Sequence, residues 1–335
     1  MRFGYITDVH NGASSGTRAI SDIEFTEPEV RIWGADDVRW YSNAPDRLKA
    51  FGTTMQADGA INFVVDGGDL VDGQKDSQST GKLAEAKDSI VAGTSADGWS
   101  GDIFYVIGNH EIGVYSDEGA AFNGHNNWDD YYLAIPAFAQ SMRGNPHVFS
   151  TSTGGTTNTA DYSYSFDRAG IHFVVCHRLS YLEGTGSGGT GSWLEEDLAT
   201  TNKPIIIFTH SCSYVADLGV GIATIFGTAT EANDIAEFKA ITDAYNVQAI
   251  ISGHTHIGAS GGYPFCKVVD GVPRFTGHGN LINTSGSISL DHAAYYIFDV
   301  VPNAYKDKND RWQANISVEG YSTNGTSMAK KAFIL

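Results

Sequence analysis

The residues from Ile61 to Gly73 constrain the fold more than any other stretch, because an apolar run stops there in glycines and carboxylates. A short run rich in Val, Ile and Phe that ends in Gly67 and Gly68 is typical of a buried strand in a parallel sheet. Paired glycines let the backbone turn tightly at the carboxyl end of the strand, where open α/β sheets bind their ligands. We therefore expect Asp69 to point into a binding crevice. The alternative is that Asp69 only caps the helix that follows.

The same design occurs at the start of the chain. An apolar strand over residues 2–7 leads directly into Asp8 and His10. Residues two apart in an extended segment point the same way, so these two side chains can face one ion. A helix over residues 45–55 then connects this strand to the next one. The strand–helix–strand order predicts a parallel pair with a right-handed crossover, which brings Asp8 and Asp69 to one edge of the sheet.

A third apolar strand, over residues 103–107, also ends in a glycine and polar residues. Asn109, His110 and Glu111 follow it. Asn109 offers a neutral amide oxygen, and His110 offers a group that titrates near neutral pH. Alone, the segment reads equally as an ordinary turn. Its place behind a strand favours a binding site.

Two strands in the second half of the chain end in histidine. The apolar strand over residues 205–208 is followed by His210, and the strand over residues 248–252 is followed by His254 and His256. Two histidines that lie two residues apart, after a glycine and a strand, form the most specific local signal for a metal site in this chain.

The remaining patterns predict a single domain with insertions rather than two domains. Alternating strands over residues 161–166 and 171–177 are expected to form a hairpin, and a helix is expected at residues 193–198. Gly- and Ser-rich insertions are expected near residues 11–43, 113–155 and 211–230. The tail, with strands near residues 274–276, 293–300 and 312–318, is expected to be antiparallel and to end in an extension near residues 290–335. Region 113–155 is rich in aromatic residues, which either form a lid or substrate wall or only pack that insertion down.

The composition excludes several classes of protein. A net charge of -18 disfavours binding to nucleic-acid polymers or anionic membranes, and it favours capture of cations. No apolar run has the length of a membrane span, and no signal-peptide pattern precedes the first strand, so a cytoplasmic location is the default expectation. The three cysteines lack paired spacing, which argues against a disulfide framework. Oligomeric state stays open.

The candidate ligands exceed the needs of one ion. Two carboxylates, one amide and four imidazoles follow the strands, at Asp8, Asp69, Asn109, His10, His210, His254 and His256. Two ions that share a carboxylate fit this number. A pair about 3.5–4 Å apart can hold a bridging hydroxide and clamp both the attacking and the leaving oxygen of a displacement at phosphorus. The expected substrate is therefore a small phosphorylated molecule.

The order of these motifs resembles that of the calcineurin-like metallophosphoesterases over roughly residues 1 to 300. The motifs are Asp8-x-His10, Gly68-Asp69-x-x-Asp72, Gly108-Asn109-His110-Glu111, His210 and Gly253-His254-x-His256. The resemblance implies an α/β fold of four layers, α/β/β/α, in which the two inner layers are mixed sheets and the two outer layers are helices.

The resemblance also implies a role for each site residue. Asp8, His10 and His256 are expected to hold one metal, Asn109, His210 and His254 to hold the other, and Asp69 to bridge the two. His110 matches a histidine of the family that is not a ligand, that helps the transition state and that can protonate the leaving oxygen. Asp72 is expected to orient His110, and Glu111 lies beside it in sequence. His177 departs from the family pattern, and a structural role is expected for it.

The identity of the metals and the substrate is less constrained. Nitrogen and oxygen ligands permit two divalent or trivalent ions such as Mn, Fe or Zn. Segments 37–41 and 253–258 are similar to manganese-dependent ADP-ribose and CDP-alcohol pyrophosphatases. Within this branch Arg39 either contacts a phosphate or is an ordinary surface arginine. The sequence thus predicts hydrolysis of a phosphodiester or pyrophosphate, with phosphomonoester hydrolysis or a non-catalytic metal-binding scaffold as alternatives.

Overall fold

Two six-stranded sheets form the frame of the molecule. The computed structural model describes residues 1–7, 9, 44–68, 70, 85–86, 88–92, 98–106, 108, 164–175, 190–210, 244–253, 266–269, 272–276, 295–321 and 327–333. The predicted insertions near 11–43, 113–155 and 211–230 lie outside these ranges. So do His177 and most of the helix predicted before Tyr245.

The first sheet has the strand order β12-β11-β10-β1-β2-β3. Its strands are β1 (Arg2–Ile6), β2 (Ile61–Asp66), β3 (Asp102–Tyr105), β10 (Tyr295–Lys306), β11 (Trp312–Tyr321) and β12 (Ser327–Phe333). Strands β1, β2 and β3 are parallel, and the three strands of the tail pair antiparallel, with β10 against β1. The predicted parallel pair formed by the first two strands is present.

The second sheet has the strand order β4-β5-β6-β7-β9-β8. Its strands are β4 (Tyr164–Arg168), β5 (Ile171–Val175), β6 (Ile205–Phe208), β7 (Val247–Ser252), β8 (Cys266–Val269) and β9 (Val272–Thr276). Strands β5, β6, β7 and β9 are parallel. The expectation that the strand near residue 274 belongs to an antiparallel tail was wrong, because β9 adds to β7 in parallel and only its partner β8 is antiparallel to it.

Aromatic side chains fill the space between the two sheets. Phe3 of the first sheet packs edge-on against Phe173 and Phe208 of the second, with ring centroids 5.9 and 5.5 Å apart. Phe104 stacks on Phe166 across the same interface at 3.9 Å. Each such contact stabilises the fold by about 0.5–1.5 kcal/mol beyond the effect of burying the rings. This core fixes how one sheet lies on the other.

Helices cover the outer faces of both sheets. Helix α1 (Ala44–Asp58) lies on the first sheet, where a Cβ at Gly4 would meet Met55 and Phe51. Helix α2 (Thr190–Ala199) lies on the second sheet and holds Asp197 against Ser165 and His172. Successive residues of a strand point to opposite faces, so Phe3 enters the core while Gly4 meets the helix. The predicted four-layer α/β/β/α arrangement is confirmed.

A tight turn joins β4 to β5 at the residues that the sequence predicts. Ala169 and Gly170 both have positive φ, of 49° and 80°, which is the backbone of a type I′ hairpin turn. The turn sets the register in which Asp167 lies opposite His172. Gly170 adopts this conformation at little cost, whereas Ala169 carries the strain of a left-handed residue with a Cβ.

The hairpin formed by β10 and β11 reaches the second sheet. The side-chain amide of Asn246, which precedes β7, donates to the carbonyl oxygens of Trp312 at 2.6 Å and Lys203 at 3.0 Å. Asn246 is buried. None of the helices within the described ranges is long and apolar enough to cross a bilayer.

Candidate metal centre

One of the seven predicted metal ligands, His210, lies within the described residues. The others lie outside them, together with the predicted catalytic and substrate residues, namely Asp8, His10, Asp69, Asn109, His254, His256, Asp72, His110, Glu111 and Arg39. Residues next to these in sequence are described, among them Thr7, Gly68, Gly108 and Gly253. The backbone around the site is therefore visible, while the ligand roles stay predictions. Among the described residues, no three His, Cys, Asp or Glu side chains form a metal cluster.

The carboxyl ends of the parallel strands stay paired beyond their last residues. In the first sheet, the N–H of Gly67 donates to the carbonyl of Ile6 at 2.7 Å. In the second sheet, the N–H of Gly253 donates to the carbonyl of His210 at 3.0 Å. The ladders therefore continue nearly up to the predicted ligands, to Gly67 two residues before Asp69 and to Gly253 directly before His254.

A hydrogen bond from His210 joins the two sheets at the carboxyl ends of their parallel strands. Its Nδ1 lies 2.8 Å from the carbonyl oxygen of Gly67, and the side chain is only 2% exposed. A carbonyl oxygen can only accept, so Nδ1 must carry the proton. In the neutral form of the ring, the lone pair is then on Nε2. Histidines that bind metals through one nitrogen commonly hold the other N–H on a carbonyl or carboxylate in this way.

Three strand ends meet around Gly68. A Cβ at Gly68 would lie 2.5 Å from Nδ1 of His210 and 2.9 Å from the backbone nitrogen of Gly108. Gly68 also has a φ of +97°, which residues with a side chain rarely adopt. Glycine is therefore required here, both for the backbone conformation and for the close approach of the ends of β3 and β6. The residues after these ends include Asp69, Asn109 and His210, three of the predicted ligands.

The turn at Gly67 and Gly68 has two further contacts that the sequence analysis assigns no role. The carboxylate of Asp66, which is 2% exposed, accepts the N–H of Gly68 at 3.2 Å. The hydroxyl of Thr7 donates to the carbonyl of Gly68 at 3.4 Å. Burial and the nearby charge of Asp66 raise the pKa of Tyr105 well above its usual value, which keeps that phenol protonated. The sequence signal for Asp66 was a carboxylate at the last position of an otherwise apolar strand.

A second buried histidine lies at the opposite end of the same sheet. Nδ1 of His172 lies 2.8 Å from Asp167, and its Nε2 lies 2.9 Å from Asp197. Asp167 also binds Lys203 at 2.5 Å, and Ser165 donates to Asp197 at 2.7 Å. Burial opposes the charged imidazolium, but the hydrogen bonds and charges of Asp197 and Asp167 outweigh it, so the pKa of His172 is raised above 6.5. Both ring nitrogens are used by carboxylates, which makes this histidine part of a structural ion-pair network.

Comparison with known proteins identifies the family. The family model for calcineurin-like phosphoesterases matches residues 1–258, a range that contains all seven predicted ligands. No curated protein matches the chain significantly in sequence. The fold is similar to that of a dimetal phosphatase from Danio rerio, with 15% identity, a TM-score of 0.57 and 98% of each chain covered. It is also similar to the purple acid phosphatase PPD1 from seeds of yellow lupin, Lupinus luteus, with 15% identity and a TM-score of 0.51, covering 99% of this chain and 53% of the lupin chain.

At this level of identity the two structures show a shared fold, and the family model shows descent. The resemblance drawn from the order of the motifs is confirmed. The chain belongs to the calcineurin-like phosphoesterase family, whose members are hydrolases that act on phosphoric esters.

Proposed function

We propose that this chain is a dinuclear metal-dependent phosphohydrolase that cleaves a phosphodiester or pyrophosphate bond in a small, nucleotide-like substrate. The observation that carries the proposal is the hydrogen bond between Nδ1 of His210 and the carbonyl of Gly67. It gives a buried histidine the tautomer and orientation of a metal ligand at the point where three strand ends meet. A purely structural role for His210 would not explain why residues of metal-ligand type follow the neighbouring strands as well.

The residues at this edge fit a pair of metal ions. The tautomer of His210 provides a nitrogen lone pair on Nε2, and the predicted neighbours supply carboxylate, amide and imidazole donors. We assign Asp8, His10 and His256 to one ion, Asn109, His210 and His254 to the other, and Asp69 to both. Donors of nitrogen and oxygen without thiolate are compatible with Mn, Fe or Zn, and manganese is our choice from the similarity of segments 37–41 and 253–258 to manganese-dependent pyrophosphatases.

Two such ions, when bound, act as Lewis acids that stabilise negative charge on the phosphoryl oxygens. The chain itself must then supply the proton for the leaving oxygen. We assign that proton to the imidazole of His110, with the carboxylate of Asp72 orienting the ring and Glu111 close by in sequence. A carboxylate beside an imidazole favours its protonated form, which suits a general acid near neutral pH. Arg39 is our candidate for binding a second phosphate.

The proposal is tested with bis-p-nitrophenyl phosphate and added Mn²⁺. We expect the wild-type protein to hydrolyse this diester, and we expect Asp69→Asn and His110→Ala to be slower by about 100-fold or more, since each removes a group that acts on the reacting atoms. The control is His172→Gln, which changes a buried histidine outside the proposed site. Equal rates for the wild type and Asp69→Asn would refute the proposal.

Two alternatives give different results in the same experiment. A phosphomonoesterase of this family would release nitrophenol from p-nitrophenyl phosphate in preference to the diester. The two similar solved structures are titled phosphatases, but at 15% identity they do not decide this preference. A non-catalytic scaffold would hydrolyse neither compound and would not retain close to two ions per chain after dialysis. A panel of nucleoside diphosphate sugars and cyclic nucleotides would then identify the substrate class.

A further inference from the structure

Asp66 is a buried carboxylate to which the proposed chemistry assigns no part. It is the last residue of β2 and is 2% exposed. Transfer of a carboxylate from water into a protein interior costs several kcal/mol unless polar groups compensate for the lost hydration. One compensating group is the N–H of Gly68, 3.2 Å from Oδ1 of Asp66. The burial of Asp66 is therefore best explained by the backbone groups that its carboxylate binds.

The Asp66 carboxylate completes the hydrogen bonding of the turn at Gly67 and Gly68. The N–H of Gly67 binds Ile6, and its carbonyl accepts from His210. The carbonyl of Gly68 accepts from the hydroxyl of Thr7, and its N–H binds Asp66. Each polar backbone atom of the two glycines thus has a partner, from the end of β1 (Ile6 and Thr7), from His210 after β6, or from Asp66 of β2 itself.

This turn needs an external support because glycine has little conformational preference of its own. Holding one residue in a single backbone conformation costs about 1–2 kcal/mol, and glycine lies at the upper end of that cost. Gly68 has a φ of +97°, and the acceptor of its N–H is a side chain two residues earlier, as in an Asx turn. The Gly68 backbone sets the direction in which the chain enters Asp69. Metal and catalytic sites tolerate errors of only about 0.5 Å in their ligands.

We propose that Asp66 is a positioning residue for the metal centre. Its carboxylate oxygen, acting through the N–H of Gly68, fixes the turn that directly precedes Asp69, the predicted bridging ligand. The inference rests on the proposed function, since it assumes that Asp69 is the bridging ligand. It extends that function by assigning a role to a residue outside the motif that carries the ligands. The essential property of Asp66 is the place of its oxygen rather than its charge.

Two variants separate place from charge. Asp66→Asn keeps an acceptor oxygen at the same distance along the side chain and removes the charge. Asp66→Glu keeps the charge and moves the oxygen by one methylene group. We measure Mn²⁺ binding to metal-free protein by titration calorimetry, together with kcat and KM for bis-p-nitrophenyl phosphate. Asp66→Asn is expected to bind Mn²⁺ nearly as the wild type does. Asp66→Glu is expected to bind Mn²⁺ about 10–100-fold more weakly, as is usual when a group that orients metal ligands is changed. Its kcat is expected to fall while its KM stays close to that of the wild type.

Each outcome decides one of the two proposals. If Asp66→Asn is impaired and Asp66→Glu is not, or if neither variant differs from the wild type, the positioning role is refuted. If the wild-type protein itself binds no Mn²⁺, the proposed function fails, whatever the variants do. Thermal unfolding of the metal-free proteins checks that each variant is folded. Should the longer side chain of Asp66→Glu prevent folding, Asp66→Ala replaces it, because that variant removes the acceptor without adding volume, and the same losses are expected.

Discussion

His210 and His172 are both buried in the second sheet, yet their surroundings give them opposite capacities. They lie at opposite ends of neighbouring parallel strands, because His172 is the second residue of β5 and pairs with Ile205, while His210 follows β6. His172 has a carboxylate on each ring nitrogen, whereas the Nδ1 of His210 is held by a neutral backbone carbonyl. Two carboxylates favour the imidazolium, which cannot bind a metal. The carbonyl that accepts from Nδ1 of His210 instead selects one tautomer of the neutral ring, with the lone pair on Nε2, and this tautomer can bind a metal.

The contrast shows that burial and residue type do not identify a metal ligand in this fold. The groups on the two ring nitrogens do, because they decide whether a lone pair is available and where it lies. At the amino ends of the parallel strands, which form the amino edge of the sheet, charged side chains hold a helix. The carboxyl edge uses backbone atoms and glycines to hold a site. Each prediction below tests one side of this difference.

The largest effect on activity is expected from removing the imidazole of His210, with removal of the imidazole of His172 as the comparison. His210→Ala should lower kcat/KM with bis-p-nitrophenyl phosphate by at least about 100-fold, since loss of a ligand should exceed the 10–100-fold cost of losing a group that only orients one. His172→Gln should keep the activity close to that of the wild type at a temperature where it is folded. Steady-state kinetics with saturating Mn²⁺ checks both. A larger loss in His172→Gln would reverse the comparison.

Two glycines at opposite ends of β2 provide a matched pair. Gly68→Ala places a methyl group 2.5 Å from Nδ1 of His210 and strains a φ of +97°. Gly59→Ala strains a φ of +67° but meets nothing within 4 Å. Strain alone costs about 1–2 kcal/mol, and the clash adds about 1–3 kcal/mol. Urea unfolding should show the larger loss for Gly68→Ala, and only this variant should lose Mn²⁺ affinity. Loss of affinity in Gly59→Ala would mean that general stability controls the site.

Removal of the charged partner at the other edge should destabilise the fold. His172→Gln leaves Asp197, whose side chain is 9% exposed, without its imidazolium. Breaking a buried ion pair from one side costs about 3 kcal/mol. The free energy of unfolding in urea at pH 6 measures this loss. Lys203→Gln is the matched control, because it removes a cation from Asp167, which is half exposed, and its effect should be below about 1 kcal/mol. Similar losses in both variants would contradict the role of burial.

The difference in stability between the wild type and His172→Gln should depend on pH. The pKa of His172 is raised above 6.5 in the folded protein by the two carboxylates, against the effect of burial. Its contribution is therefore complete below pH 6.5 and is lost as the pH rises through the raised pKa, by at most about 1.4 kcal/mol per pH unit. Unfolding free energies measured from neutral to alkaline pH check the sign. A difference that grows with pH would show that His172 is neutral in the fold.

The smallest effect concerns the turn that aligns Asp167 with His172. Ala169→Asn should raise the unfolding free energy by about 0.5 kcal/mol, because Asn tolerates a left-handed backbone better than Ala and Asn-Gly favours the type I′ turn. Ala169→Val should lower it, since a β-branched residue is poorly suited to positive φ. Neither variant should alter the activity. Thermal unfolding resolves changes of this size, and equal midpoints for the two variants would count against the turn assignment.

The sequence predicted the parts of the fold whose signal is local. Apolar runs that end in glycine located β2, β3 and β7, and an apolar run that ends before Thr209 and His210 located β6, because a buried parallel strand reads as a continuous apolar segment. Within the antiparallel extension predicted near residues 290–335, no separate strand was predicted for β12, because Ser-Met-Ala-Lys-Lys-Ala-Phe contains residues with low strand propensity and its pairing with β11 decides its conformation. Strand β8 was missed because Cys-Lys-Val-Val contains a lysine and is not a continuous apolar run, and its antiparallel pairing with β9 decides its conformation.

The candidate site was predictable only in outline. His210 was predicted as a ligand from its place after a strand, but its tautomer depends on the carbonyl of Gly67, far away in sequence. Asp66 belongs to the stretch that first indicated a site, yet its contact with Gly68 needs a positive φ that residue types alone do not specify. His172 gave no signal, because one of its partners comes from a helix 25 residues later.

The amide of Asn246 has a consequence for the whole sandwich. It ties the tail of the first sheet to the second sheet at the amino edge, while the imidazole of His210 ties the two sheets at the carboxyl edge. Layers joined at both ends resist sliding and rotation past one another more than layers held by aromatic contacts alone. Substitutions at the tip of the β10–β11 hairpin should therefore change the distance between the carboxyl ends of the parallel strands in the two sheets.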